Sequence, residues 1–199
     1  YRVDGAGYLE PGHTHIFIVS AEGGAPKQLT KGDYNYNSYS WAPNGKHLII
    51  SANRSENASL DPNNTHLFEL NIEDGTLKKL TDGRGPHNNP LVSPDGKTIA
   101  YTGFEDQFTG YQQTELYLMN RKGENVQNLT EDFDYSISSI SWADNGEYLY
   151  FQFTQEGIPK IGAITRDADI ETVTSGLASA TLGRPYSGGS YSIADNGNF

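Results

Sequence analysis

No serine of this sequence lies in the motif that holds a hydrolase nucleophile. Hydrolases of the α/β type hold that serine in a G-x-S-x-G turn between a strand and a helix. The nearest match is residues 188–192 (GGSYS), which lack the closing glycine and precede a strand pattern. The chain has no cysteine, which excludes a thiol nucleophile and a disulfide framework. We therefore predict no catalytic residue within the chain.

Metal-ligating residue types are present, but their spacing is not typical of a metal site. His13 and His15 lack a nearby acidic third ligand, so we interpret them as solvated or hydrogen-bonded histidines. No D-x-[DN]-x-[DN]-G calcium loop occurs, and no glycine-rich phosphate loop opens a helix. Short acidic pairs are interpreted as solvated turns: Asp132 with Asp134, and Asp167 with Asp169. The sequence predicts neither a metal nor a cofactor.

Charge and length limit the partners that this chain is expected to have. Its 199 residues carry 14 Lys and Arg against 25 Asp and Glu, a net charge of −11, which argues against nucleic acid and anionic membranes. No run approaches the roughly 18 apolar residues of a membrane span, so no membrane partner is predicted. The chain begins at Tyr1 and its single methionine is Met119, so we expect a segment of a longer protein. The compartment stays open between the bacterial cytoplasm and the periplasm.

An internal repeat organises the whole sequence. Four turns of the Asn/Asp-Gly type contain Gly45, Gly96, Gly146 and Gly197, which are separated by 51, 50 and 51 residues. A Leu-Thr pair recurs in the same order at residues 29–30, 80–81 and 129–130, with a weaker Val-Thr at 173–174. A third series of apolar runs begins at Ile16, Leu67, Leu116 and Ile161. Three series that share one period indicate a repeat architecture.

Each repeat is predicted to contain four short antiparallel strands. The first precedes the Asx-Gly turn, which is a strong hairpin signal, and the second comes after it. The third apolar run and the Leu-Thr run supply the third and fourth strands, and no stretch shows sustained helical periodicity. The fold class is therefore all-β. Because one such sheet cannot bury both faces alone, a four-stranded unit repeated at about 50 residues indicates the blades of a β-propeller.

The phase of the repeat predicts how the blades divide the chain. Residues 1–43 supply the outer strands of one blade and the next inner strand; residues 44–94, 95–144 and 145–195 are successive repeats, and 196–199 begin another. About four blades of material favour a segment of a larger propeller with six to eight blades, and closure as a four-bladed ring is the alternative. We expect the last blade to have a shortened outer half. Open edges predict self-association or a tight partner, and Trp41 and Trp142 are expected in the core between blades.

The repeat cores resemble those of a known family. Residues 41–46 (WAPNGK) and 92–97 (VSPDGK) look like the W-S-P-D-G-K core of PD40 (TolB-like) propeller repeats. Several inter-strand stretches are similar to the propeller of acylaminoacyl-peptidase-like enzymes, in the prolyl oligopeptidase family of serine peptidases: residues 2–8 (RVDGAGY), 51–54 (SANR), 101–106 (YTGFED), 110–112 (GYQ) and 116–121 (LYLMNR).

This resemblance implies a propeller that caps a separate α/β-hydrolase domain and admits only short peptides. The catalytic residues would belong to that hydrolase domain, so the chain itself is expected to act as a gate and interdomain scaffold for peptide or acyl-peptide hydrolysis. The alternative is a free-standing TolB-like propeller that binds protein or peptide partners.

Loops that join the second and third strands are the best candidates for contacts. They are long at residues 1–14, 53–65 and 103–114, short near 154–158, and alternation of the strands places all of them on one face. Arg54 is singled out because a guanidinium can pair with a peptide carboxylate or an interdomain acid. Tyr8 and Tyr111 are the other predicted substrate or interdomain contacts.

Overall fold

The computed structural model describes residues 12–177 and 189–194 of the chain. Regular structure within these ranges consists of β-strands, and no helix there is long and apolar enough to cross a membrane. The strands are β1 (Phe17–Ile18), β2 (Lys27–Gln28), β3 (Tyr36–Trp41), β4 (His47–Ala52), β5 (His66–Asn71), β6 (Leu77–Lys79), β7 (Asn88–Val92), β8 (Thr98–Gly103), β9 (Glu115–Asn120), β10 (Gln127–Asn128), β11 (Ser138–Trp142), β12 (Tyr148–Gln155), β13 (Ile158–Thr165) and β14 (Ile170–Ser175).

The strands form one partial sheet and three complete ones. Strands β1 and β2 pair as the partial sheet, while β3–β6, β7–β10 and β11–β14 each form a four-stranded sheet in meander order, called here the first, second and third blade. All pairs are antiparallel. Turn glycines Gly45, Gly96 and Gly146 have φ of +64°, +71° and +68°, a backbone conformation that glycine adopts without steric cost. The predicted all-β fold and three of its four Asx-Gly hairpins are confirmed; the turn at Gly197 lies outside the described residues.

The apolar core lies between neighbouring sheets. One cluster joins Ile49 and Leu67 of the first blade to Ile99 and Met119 of the second, and another joins Leu116 of the second blade to residues of the third. These side chains are almost fully buried, and burial stabilises each by about 1.5–3 kcal/mol. Because each blade covers its neighbour, a repeat has little stability alone.

Each Leu-Thr pair closes the outer edge of its sheet. The hydroxyl oxygens of Thr30, Thr81 and Thr130 accept the backbone N–H of Ile16, Leu67 and Leu116, each at 2.9 Å. The leucine N–H before each threonine donates to the carbonyl of that same third-strand residue at 2.8 Å. The fourth strand therefore ends just before the Leu-Thr pair, not on it as predicted, because a side-chain hydroxyl replaces the next bond of the backbone ladder.

The third blade differs from the sequence prediction. Its outer half is not shortened: β14 has six residues, against three in β6 and two in β10. The predicted short connection is present as a turn at Glu156 and Gly157, whose φ values of +51° and +76° suit a tight hairpin. The long loop between the second and third strands is lost here, and the length of the repeat is kept because β12 and β13 have eight residues each and β14 has six.

The two tryptophans at equivalent positions have different surroundings. The Nε1–H of Trp142 donates to the carbonyl of Leu91 in the second blade, at 3.2 Å, and the ring packs against the cluster between those blades. Trp41 is 46% exposed. The inter-blade prediction is correct for Trp142 and wrong for Trp41, because no preceding inner strand covers β3 within the described residues.

The inner strands of the first and second blades are joined by serine hydroxyls. Ser38 Oγ accepts the backbone N–H of Asn89 at 2.9 Å, and Ser40 Oγ accepts that of Val92 at 3.1 Å. The inner strand predicted before the turn at Gly197 covers residues 191–193, and these residues do not form a strand. Tyr191 and Ile193 instead pack on the third blade, and the Tyr191 hydroxyl donates to the Ser139 carbonyl.

Candidate docking face

Strand alternation gathers the longest connections on one face of the molecule, called here the long-loop face. It carries the β4–β5 connection (residues 53–65) and the β8–β9 connection (104–114), together with the links between blades at 80–87 and 129–137. The tight Asx-Gly hairpins lie at the opposite ends of the strands. Rigid strands thus present two long loops side by side, an arrangement in which propellers place recognition residues.

Arg84 ties these two loops together. Its Nη1 and Nη2 donate to the Asp61 carboxylate at 2.7 and 2.5 Å, and its Nε lies 3.3 Å from Asp106 Oδ2, within ion-pair distance but outside hydrogen-bond geometry. The hydrogen bonds from Arg84 hold the pKa of Asp61 below its usual range. The Asp106 side chain is only 4% exposed. A single guanidinium therefore links a loop of the first blade to a loop of the second.

The loop at 104–114 is further fixed by its own polar groups. Asp106 Oδ1 accepts the backbone N–H of Phe108 at 3.0 Å, and the Gln112 side chain bonds to the backbone of Glu105 and Gln107 at 2.5 and 2.9 Å. Phe108 has φ of +58°, an uncommon conformation for a bulky residue. Its ring lies 4.2 Å from the Arg84 guanidinium carbon. The loop is thus held in one shape by hydrogen bonds from Asp106 and Gln112 and by the contact of Phe108 with Arg84.

The most exposed large apolar side chains of the described residues lie on these loops. Leu60, Phe108 and Tyr111 are 83%, 78% and 79% exposed; together they are called here the apolar rim. Leu60 directly precedes the Arg84 partner Asp61, Phe108 packs on Arg84, and the Tyr111 hydroxyl lies 3.3 Å from Ser136 Oγ on the next inter-blade link. Exposed apolar groups on a braced scaffold are typical of a surface that contacts a partner.

Of the three predicted contact residues, two lie on this face as described. Tyr111 belongs to the apolar rim, and Arg54 comes just after β4, with its guanidinium over the rings of Tyr34 and Phe68 at 4.9 and 5.6 Å. Tyr8 lies outside the described residues. Sequence reasoning missed Arg84, whose partners are 23 residues before it and 22 after it and occupy no repeat position. Its flanking glycines, Gly83 and Gly85, were the only local signal.

The residue types first considered for chemistry lie apart in the structure. His15 Nδ1 is 3.2 Å from the Thr30 hydroxyl, and His13 Nε2 is 4.0 Å from Asp33. Within the described ranges, no three His, Asp or Glu side chains lie close enough together to hold a metal ion. Residue 188, in the serine stretch, lies outside the described residues, and 189–192 have no helix after the serine.

Two half-buried histidines occupy the interface between the first and second blades. The rings of His66 and His87 lie 5.7 Å apart, and His87 meets Tyr101 edge-on at 5.6 Å. Burial lowers the pKa of His87 to about 4, helped by the neighbouring His66 and Lys79. Burial also lowers the pKa of His66 and raises that of Tyr101 to about 12. This cluster is neutral near pH 7 and belongs to the packing of the blades.

Meandering four-stranded sheets that pack face to face in succession define the chain as part of a β-propeller. The sequence model of the acylaminoacyl-peptidase N-terminal β-propeller domain matches residues 1–128. The chain belongs to this family.

Known proteins with similar sequences or structures include both peptidases and TolB. Dipeptidyl-peptidase 5 of Porphyromonas gingivalis is 24% identical over 179 residues, which cover 81% of this chain and 26% of that protein. The structure of a TolB-like protein from Agrobacterium tumefaciens aligns with a TM-score of 0.63 at 20% identity, over 81% of this chain and 56% of that one. Puromycin hydrolase aligns with a TM-score of 0.60 at 17% identity, over 77% of this chain and 26% of the enzyme. These structural matches show the propeller fold, and the chain spans about a quarter of the curated peptidase.

Proposed function

We propose that this chain is the non-catalytic propeller part of a serine peptidase that hydrolyses short peptides or acyl-peptides, and that its long-loop face docks on an α/β-hydrolase domain and gates access to it. Membership of an acylaminoacyl-peptidase propeller family supports the peptidase assignment. The apolar rim carries the docking assignment, because its three side chains expose apolar surface on loops that Arg84 braces. Tyr8 stays a predicted contact of the same kind.

The test uses a protein in which this chain is joined to its hydrolase domain. Leu60→Ser, Phe108→Ser and Tyr111→Ser, combined, should lower kcat/KM for an acyl-dipeptide substrate at least fivefold, because the two domains no longer pack in register. Val126→Ser is the matched control, since Val126 is 56% exposed on the opposite turns and should leave kcat/KM within twofold. Equal kcat/KM for the rim variant and the control, with unchanged melting temperatures, would exclude the docking role.

The likeness to TolB supports a second candidate, a free-standing propeller that binds protein or peptide partners. The two candidates differ in the sequence expected beyond residue 199 of the intact protein. A G-x-S-x-G motif with Asp and His after it would establish the peptidase. Its absence from the intact protein, with no hydrolysis by that protein, would favour the binding module.

A further inference from the structure

Arg54 stands apart from the other described arginines because it has no hydrogen-bonded acceptor in the described structure. Arg84 is paired with Asp61, Arg121 with Glu69, and Arg166 donates to the carbonyl of Gly146. Among the described residues, no ion pair or hydrogen bond involves the Arg54 guanidinium, although the chain carries a net charge of −11. An arginine left without a carboxylate in so acidic a chain has its full donor capacity available for a ligand.

Two aromatic rings fix the position of this guanidinium. Its central carbon lies 4.9 Å from the ring centre of Tyr34 and 5.6 Å from that of Phe68. Stacking on rings uses the faces of a guanidinium and leaves the N–H groups in its plane available for hydrogen bonds. The ordering entropy of the side chain is thereby reduced before any ligand binds.

Arg54 lines a cavity of about 420 Å³ in which cations are not offset by acids. Besides Arg54, Tyr34 and Phe68, its lining residues are Ser55, Asn64, His66 and Lys79. The nearest carboxylate to Lys79 is Asp82, at 3.5 Å, and its side chain is 96% exposed outside the cavity wall. The larger cavity of about 690 Å³ beside it is lined by Asp33 and Glu56. The smaller cavity therefore favours an anion.

We infer that this cavity binds a peptide carboxylate, either the C-terminal carboxylate or an Asp or Glu side chain. A planar carboxylate matches the fork of the Arg54 guanidinium, and Lys79, which lines the same cavity, supplies a second positive charge. The inference deepens the proposed function and rests on it for the choice of a peptide as ligand. It concerns Arg54 and not the apolar rim, so either can fail while the other holds.

The test titrates the 199-residue chain with three N-acetylated pentapeptides and monitors binding by NMR at the Arg54 Nε–H and nearby amides. One peptide has a free C-terminal carboxylate, the second is its C-terminal amide, and the third is the amide with one internal Glu. Saturable shifts at Arg54 are expected with the first peptide, the third or both, which identifies the source of the carboxylate. The uncharged amide should bind at least tenfold more weakly.

Variants distinguish specific binding at Arg54 from general attraction between the peptide and any positive charge. Arg54→Ala should weaken binding at least tenfold, and Arg54→Lys should weaken it about threefold because the charge stays while the fork is lost. Lys122→Ala removes the same charge from an exposed turn on the opposite side and should change affinity less than twofold. Equal binding of the amide, unchanged affinity in Arg54→Ala, or tighter binding of inorganic phosphate than of either acidic peptide would overturn the inference. Melting temperatures confirm that each variant is folded.

Discussion

At the scale of single residues, Arg84 holds the loops at 53–65 and 104–114 together through Asp61 and Asp106. Arg84→Ala should leave the Asp106 carboxylate, which is 4% exposed, without its cation and should release Asp61. Because the guanidinium is itself 35% exposed, we expect only a modest fall in the urea midpoint of unfolding. The larger effect should be local, with hydrogen exchange at least about fivefold faster in residues 53–65 and 104–114.

The matched control for Arg84 is Lys79→Ala, because Lys79 pairs with the fully exposed Asp82. This substitution should leave the urea midpoint and the exchange rates of both loops unchanged, since exposed ion pairs contribute little to stability. Equal exchange rates in the Arg84→Ala variant and the unaltered chain would show that the loops are held by other contacts.

His87 should make the stability of the chain depend on pH. Its pKa is about 4 in the folded chain and about 6.5 in an unfolded one. Above pH 6.5 both states are neutral, and as the pH falls from 6.5 to 4 only the unfolded chain takes up the proton. Stability should therefore decrease across this window, by at most about 3 kcal/mol from this residue.

Urea unfolding at pH 7.0, 6.0, 5.0 and 4.5 measures this dependence. His87→Phe should flatten the slope while it keeps an aromatic ring beside Tyr101. His66 contributes in the same direction, whereas Asp61, Asp74 and Asp95 have lowered pKa values and titrate below the window. A slope that is identical in the variant would mean that folding leaves the pKa of His87 unchanged.

Sequence reasoning predicted that Arg54 and Tyr111 lie on the long-loop face but missed Arg84, and the reason is physical. Arg54 comes directly after a strand at the start of a long loop, so strand alternation alone puts it on the long-loop face. Arg84 acts through Asp61 and Asp106, which belong to different repeats and different loops. Contacts between loops depend on how the chain bends between strands. The repeat period does not predict these bends, so it does not predict the contacts.

At the scale of strands and turns, the threonine of each Leu-Thr pair is expected to stabilise the edge of its sheet. Thr81→Val preserves shape but removes the acceptor of the buried Leu67 N–H, so the free energy of unfolding should fall by about 1–3 kcal/mol. Urea denaturation measures the change. Thr172→Val is the control, since Thr172 is exposed on β14, and should be neutral within about 0.5 kcal/mol. Equal effects of the two substitutions would refute the role of the hydroxyl.

The inner hairpins could be predicted from the sequence, whereas the outer strands were placed less accurately. Asx-Gly turns impose a local geometry, so residue types alone predict the hairpins at Gly45, Gly96 and Gly146. The ends of the outer strands depend on tertiary contacts: a hydroxyl ends β6 early, while a tight turn at Thr165 and Asp169 starts β14, which pairs with β13 through five of its six residues.

At the scale of the whole molecule, the inner strand of the first blade carries Trp41 and Tyr39, which the described residues leave partly uncovered, while the partial sheet packs on the rest of that face. Trp41 and Tyr39 are 46% and 62% exposed, while the equivalent Trp142 is covered by the second blade. We expect the isolated chain to self-associate through this face, since an uncovered sheet gains stability from a second apolar surface. Sedimentation velocity between 5 and 500 μM should show a rising mean mass.

Tyr39→Lys with Trp41→Lys should shift that association to at least tenfold higher concentration. The control is Val173→Lys, because Val173 is 37% exposed on the outer strand of the third blade. A chain that stays monomeric up to 500 μM would contradict the prediction. The sequence indicated open edges from its repeat phase, but it placed both tryptophans inside, because equivalent positions in a repeat have equivalent neighbours only where a neighbouring blade is present.

The serine hydroxyls between the inner strands have a consequence for curvature. Ser38 and Ser40 each accept a backbone N–H of the second blade. The distance between the inner strands of the first and second blades is therefore set by one oxygen atom rather than by bulky side chains. The angle between successive sheets then depends on how wide the outer apolar layer is relative to this fixed inner gap. Larger or smaller side chains in that layer would change how many blades complete a propeller, while the hairpins within each blade would stay as they are.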